Sequence, residues 1–409
     1  MSHHNLLPFV YNLSQIAEFN EVIKDPKCVL NKLNITDFAT DLKNEVFRIV
    51  KYNKNMLNND NIPTCGLFRS VVVNSDNKVV SFSPPKSINT DLFIQNHDSD
   101  KFQSLVAEEF VEGTMINIFW DYKNTLWEFS TRSTVGAQSA FFKTQNAKTF
   151  RAMFLEAASH NKLDLNALDK NLCYSFVLQH PENRIVVPFK QPQLYLISTY
   201  MIDNEDQSNI KVCVVNRADF FTHHPNTTVK MPTTYNFSTY TDIILKYASM
   251  STSYDILGVT IYNNNTGERT KIRNPVYEQV KQLRGNQPKL QYQYLCLRKE
   301  GKVGDFLKYF PEYKKDFASF RDQLHLFTNT LFANYISCYI KKAKPLIEFP
   351  VQYRTHMFNI HKLFLNELKE QKLYVTNTVV IKYVNNIHQS LLMFCLNFQL
   401  RKHNVDLKK

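Results

Sequence analysis

Between Leu67 and Ile261 apolar and polar positions alternate in short bursts: LFRSVVV, KVVSFS, TMINIFWD, LWEFSTRS, YSFVLQ, RIVVPF, LYLISTYM, KVCVV and LGVTIYN. Each is rich in β-branched and aromatic residues and is followed by polar turn residues. Side chains that alternate with a period of two mark half-buried strands, so antiparallel sheet is expected here. TFRAMFLEAASHN (149–161) breaks the rhythm with apolar residues at helical spacing. Upstream, SQIAEFNEVI and ITDFATDLKNEVFRIV show i, i+3/i+4 spacing, so residues 14–56 read as helical, with Thr36 followed by Asp37 as an N-cap. After about residue 300 the helical period returns. Phe317, Phe320, Leu324, Phe327, Leu331 and Ile336 share a face, and HMFNIHKLFLNELKEQ and NTVVIKYVNNIHQSLLMFCLNF follow with similar spacing. Pro345 and Pro350 bracket a break between helices. These stripes are core-forming rather than ligand-binding. The expectation is an α+β chain with an N-terminal helical segment (1–60), a sheet-rich domain (61–300) and an all-helical C-terminal domain (301–409).

With 409 residues, 44% of them apolar and 21% charged, the chain can bury more than one core, which argues against wholesale disorder. LLMFCLNF falls far short of the ~20 apolar residues that span a bilayer. The N-terminus MSHHNLLPFVYN has neither the basic flank nor the cleavage site of a signal peptide. No membrane role is therefore expected. Seven cysteines (28, 65, 173, 213, 296, 338, 395) stand far apart without a C-x-x-C pair, which points to reduced intracellular thiols. His3-His4 reads as a disordered polar terminus rather than a metal site. Abundant Asn, Lys, Tyr and Phe with only 8 Gly is the bias that AT-rich coding leaves.

The net charge of +12 is unevenly spread. From Thr266 onward there are 25 Lys+Arg against 11 Asp+Glu, leaving 24 against 26 before it. A field of that sign favours RNA or DNA as partner, with solvated lysine-rich helices as the bland alternative. In QYQYLCLRK, Tyr292 and Tyr294 alternate like one face of a strand, placed either to stack bases or to pack a core. No Walker loop, H-E-x-x-H, G-x-S-x-G or metal-spaced His/Cys cluster is present.

Five separated segments, running from about Gly66 to Leu283, stand in an order and spacing that resemble one enzyme family. They are LFRSVVVNSDNKVVSFSPPKS, FVEGT, FSTRSTVGAQSA, FVLQHPENRIVVPF, and the pair LGVTI and TKIRNPVY. Together they resemble the phage tRNA-repair type of ATP-dependent RNA ligase, in the covalent nucleotidyltransferase superfamily. The resemblance implies a nucleotide-binding domain of antiparallel sheets followed by a small helical domain. In that family a lysine attacks the α-phosphate of ATP, one glutamate holds the ribose and another helps place a divalent metal. The corresponding positions here are Phe110, Val177 and Leu257. A phenyl ring has no lone pair for nucleophilic attack, and aliphatic side chains offer magnesium no oxygen.

The resemblance assigns nucleotide and phosphate binding to Arg69, Glu112, Gly113, Arg132, Lys271 and Arg273, whose cations suit phosphate oxygens whether or not bond-making follows. Lys86, behind two prolines in SPPKS, is the runner-up nucleophile. The reading is a ligase-fold pseudoenzyme from a large cytoplasmic DNA virus, located in the host cytoplasm or virion, that binds RNA or single-stranded nucleic acid. ATP and magnesium are expected only in the alternative of an active ligase with a displaced lysine. A scaffolding subunit of a viral particle or transcription complex is the third alternative.

Overall fold

The structure is a computed structural model that describes residues 4–25, 31–39, 45–97, 104–140 and 147–400. The described residues hold fourteen strands: β1 (Leu6–Asn12), β2 (Leu33–Ala39), β3 (Val46–Tyr52), β4 (Val71–Val73), β5 (Val79–Ser81), β6 (Leu105–Glu109), β7 (Thr114–Asp121), β8 (Leu126–Ser130), β9 (Leu172–Gln179), β10 (Gln193–Asp203), β11 (Lys211–Val215), β12 (Thr234–Tyr235), β13 (Gly258–Asn263) and β14 (Arg269–Arg273). They form a six-stranded sheet in the order β1-β11-β10-β9-β7-β8 and two four-stranded sheets, β12-β6-β13-β14 and β2-β3-β4-β5. Strand pairs are antiparallel. The fold is α+β, with a helical C-terminal region.

Two compact units divide the chain, 1–281 and 282–409. Among the described residues all the sheets lie in the first. The second begins before the residue 300 boundary read from the sequence, because helix Leu290–Lys299 packs with the helices that follow it: Tyr294 meets Phe317 edge-on at 5.2 Å. QYQYLCLRK is thus helical rather than strand-like, and Tyr294 is a core residue. Counted on the sequence, residues 282–409 hold 21 Lys+Arg against 9 Asp+Glu, so the second unit carries the chain's whole excess of positive charge.

Strand β9 shows how the first unit is layered. Leu172 to Leu178 are all buried because both faces are covered. Tyr174, Phe176 and Leu178 point into a core shared with Met153, Phe154, Ala157 and Ala158 of helix Phe150–His160. Cys173 packs on the opposite side with residues of β3, β4 and β5, and Val177 lies at the wall of a cleft. The helix begins where the sequence predicts, with the Thr149 hydroxyl accepting from the Ala152 amide. No described helix is long and apolar enough to cross a membrane.

Three further expectations fail. ITDFATDLKNEVFRIV, read as a helix capped by Thr36 and Asp37, holds strands β2 and β3, with Thr36 opposite Ile49 and Asp37 opposite Arg48; residues 40–44 lie outside the described ones. Phe47 and Ile49 would sit on nearly opposite faces of a helix but share one face of a strand, and here both are buried in one core. RIVVPF is a loop between β9 and β10, its Val186 and Val187 amides taken by a side chain instead of a ladder. His4, expected in a loose terminus, is largely buried and its Nε2 pairs with Asp169 at 3.1 Å; His3 lies outside the described residues.

Candidate phosphate-binding cleft

The sequence RTKIR dictates the polarity of β14. Thr270 and Ile272 turn inward, Ile272 joining a core with Ile88, Phe93 and Ile243. Arg269, Lys271 and Arg273 alternate with them and therefore share the other face. Between this sheet and the six-stranded one lies a cleft of about 260 Å³, lined among others by Phe110, Val177, Tyr262, Arg269 and Lys271. Strand β1 supplies a further wall through Leu7, Phe9 and Tyr11.

Cations dominate the electrostatics. Burial pushes the Lys271 amine well below the usual lysine value, and the charges of Arg269, Arg69, Arg273 and Lys86 push the same way. Burial first, then the nearby Arg269 and Arg132 charges, moves Arg69 down to about 10. Lys86 is lowered by burial and by Arg273, Arg69, Arg132 and Arg269. Each group titrates in the field of the others, the signature of a cationic site that anions would neutralise. Two carboxylates line the cleft, and both are engaged. Glu108 is gripped by Arg217 and by the Tyr262 hydroxyl at 2.9 Å, and Glu109 accepts from Thr233. Arg132 and Arg269 each keep a buried Nε without a hydrogen-bond partner.

Phe110 follows β6, its amide donating to the Gly258 carbonyl at 3.2 Å. The Lys271 ammonium lies 4.2 Å from its ring centroid and the Arg273 guanidinium 5.8 Å, so the ring is a cation–π platform. Arg132 stands over the Tyr52 ring at 4.9 Å. Arg273 is half exposed at the rim and paired with Glu278 at 3.4 Å. The Lys86 amine is tied to the Ser87 carbonyl at 2.7 Å.

Val177 lines the cleft; Leu257 is buried beside Gly258, its carbonyl accepting from Asn274. Gly113, at φ +148°, lets the chain pass against β9, since a Cβ there would lie 2.5 Å from the Leu178 carbonyl oxygen. Glu112 has a different job from phosphate contact: its carboxylate accepts from the Val186 amide at 2.7 Å and the Val187 amide at 3.1 Å, and burial raises its pKa. Arg269 was not singled out in the sequence, although the alternation in RTKIR marks it as plainly as Lys271. Among the described residues no group of three or more His, Cys, Asp or Glu is arranged to hold a metal ion.

No protein family model matches the chain. Solved structures of similar shape include an archaeal ATP-dependent RNA ligase (10% identity, 75% of this chain and 76% of that one, TM-score 0.40) and a putative ATP-dependent DNA ligase from Aquifex aeolicus (12%, 85% and 79%, TM-score 0.38). In sequence, 104 residues are 29% identical to an RNA ligase of Rhodothermus phage RM378, covering 24% of this chain. The match spans 23% of that curated relative's own length. Over that stretch the chain is a homologue of ligase-type nucleotidyltransferases.

Proposed function

We propose that this chain is a pseudoenzyme on an RNA-ligase-like nucleotidyltransferase fold, one that binds RNA or nucleotide phosphates through the cationic cleft without forming a covalent nucleotide adduct. The observation that carries the reading is Phe110. Where the motif resemblance calls for an attacking amine, an aromatic ring lies beneath Lys271 and Arg273. The group implied by the family that does not fit is the divalent metal: Leu257 stands at the position of the glutamate expected to help place it, Val177 at that of the glutamate expected to hold the ribose, and neither offers an oxygen. An anion held by Arg69, Arg132, Arg269, Lys271 and Arg273 needs no such ion. The AT-rich composition and the phage relative support a viral source, and with it the host cytoplasm or virion as location.

Intact mass after incubation with ATP or GTP, with magnesium or manganese, tests the proposal. The expected spectrum is unchanged; a gain of one AMP or GMP that survives denaturation overturns it. A second reading, an active transferase with a displaced lysine, is favoured by one residue. Of the two amines that burial and neighbouring cations depress, Lys86 and Lys271, Lys271 is the more strongly lowered and the one that lines the cleft, the setting that activates a lysine nucleophile. Peptide mapping of any adduct would then find it on Lys271 and lose it in Lys271→Ala.

A further inference from the structure

We propose that the cleft takes a nucleotide bearing a single phosphate, with strand β1 supplying the wall against which the base lies. The inference rests on the phosphate-binding reading above and adds to it a ligand class and a base subsite. Strand β1 is two-faced: Leu6 and Val10 are exposed, while Leu7, Phe9 and Tyr11 line the cleft. Phe9 and Tyr11 meet edge-on at 5.2 Å, Tyr11 lies 5.4 Å from Phe82, and Phe82 meets Tyr200 at 5.0 Å. Phe82 and Tyr200 are buried, so this aromatic row is anchored in the core and pre-organised to receive a flat ring.

The wall is also a closure. The Tyr11 hydroxyl donates to the Gly267 carbonyl at 3.3 Å, at the tip of the β13–β14 hairpin. Gly267 has φ +73°, and a Cβ added there would come within 2.5 Å of the Phe9 ring and 2.7 Å of the Tyr11 oxygen. The hairpin therefore seats directly on β1, which limits the space inside. At about 260 Å³ the cleft sits below the range of roughly 300–1,000 Å³ common for small-molecule sites.

Charge sets the same limit. Arg269 and Lys271 line this space, and the Arg269 Nε is a buried donor awaiting an acceptor. A triphosphate normally shares its charge with a divalent ion held by carboxylates. Among the described residues no cluster of that kind exists, and Glu108 and Glu109 are committed elsewhere. One phosphate on Arg269 and Lys271 with its base on Phe9 and Tyr11 uses what the cleft offers. A free nucleoside monophosphate and the phosphorylated end of an RNA strand share this chemistry.

Calorimetric titration of the full chain with AMP, ATP and ribose 5-phosphate, in chelator, tests the proposal. AMP is expected to bind at least about tenfold more tightly than ATP and, at the low end of base–aromatic stacking, at least about fivefold more tightly than ribose 5-phosphate. Phe9→Leu should narrow the second gap, and Arg269→Met should weaken both AMP and ribose 5-phosphate. A tetranucleotide with a 5′-phosphate binding as tightly as AMP assigns the site to a strand end; clearly weaker binding assigns it to the free nucleotide. ATP equal to or tighter than AMP overturns the single-phosphate limit, and AMP equal to ribose 5-phosphate overturns the base wall. Should Phe9→Leu not fold, those two comparisons on the parent protein decide alone. Failure of all three ligands to bind removes the underlying phosphate site as well.

Discussion

Replacing Lys271 and Arg273 together by alanine should cut the salt dependence of RNA binding by a calculable amount. Six cations, Arg69, Lys86, Arg132, Arg269, Lys271 and Arg273, feel one another's charge at the cleft. If each neutralises one phosphate charge, Arg269 and Lys271 sharing the two of a terminal phosphate, about 0.7 counterions released per charge on a single strand give a slope of log affinity against log salt near −4. Removing two of the six cations brings it to about −3. Between 50 and 200 mM salt the parent should then lose roughly 300-fold in affinity and the double variant roughly 50-fold. Lys271 faces the cleft directly, and the half-exposed Arg273 gives up only a surface pair with Glu278, worth little in water. Fluorescence anisotropy of a labelled oligoribonucleotide over a salt series reads the slope, with thermal melting as the check on folding. An unchanged slope in a variant that melts normally, or parent binding indifferent to salt, refutes the reasoning and moves the function to a scaffold that touches no nucleic acid.

Phe110→Lys alone should yield no lysyl-nucleotide by intact mass, because Val177 and Leu257 leave transition-state charge unstabilised; an adduct, if any, should need Val177→Glu and Leu257→Glu as well, and a robust adduct from the single change contradicts that placement of the two acids. Lys271→Met should raise stability at pH 7 by relieving the burial of a charged amine among other cations, offset in part by the lost cation–π attraction to the Phe110 ring. The unfolded chain binds the proton more tightly, so the parent's deficit is full below the folded-state pKa and closes as pH rises toward the ordinary lysine value near 10.4; urea melts at pH 7 and 10 check both the sign and the window. Glu112→Ala should cost about 2–4 kcal/mol in the same assay, since two amides of the 186–187 loop lose their acceptor.

The chemistry of the cleft was more legible than the chain's first fifty residues. RTKIR announces three cations on one face because strand alternation is local, and TFRAMFLEAASHN announces a helix because its apolar spacing is local too. The β2–β3 pair was hidden because its spacing satisfies a helix as well as a strand; only distant partners able to bury Phe47, Ile49 and Val50 decide, namely β4, which pairs with β3 in the same sheet, and core residues such as Phe119, 5.2 Å from the Phe47 ring. QYQYLCLRK failed in the reverse sense, alternating like a strand while tertiary packing against Phe317 made it a helix. Glu112 could not be separated from the phosphate set by sequence, since its role depends on a loop more than seventy residues away.

Strand β1 occupies the outer position of the six-stranded sheet and hides the hydrogen-bonding edge of β11. A chain trimmed to begin after Asn12 would leave KVCVV as a bare, weakly charged border with three valines, the kind of margin that recruits further strands and precipitates. Shortened versions of the protein should therefore be judged first by whether they stay in solution, and single substitutions in β1, not its removal, are the means of learning what the strand does for a ligand.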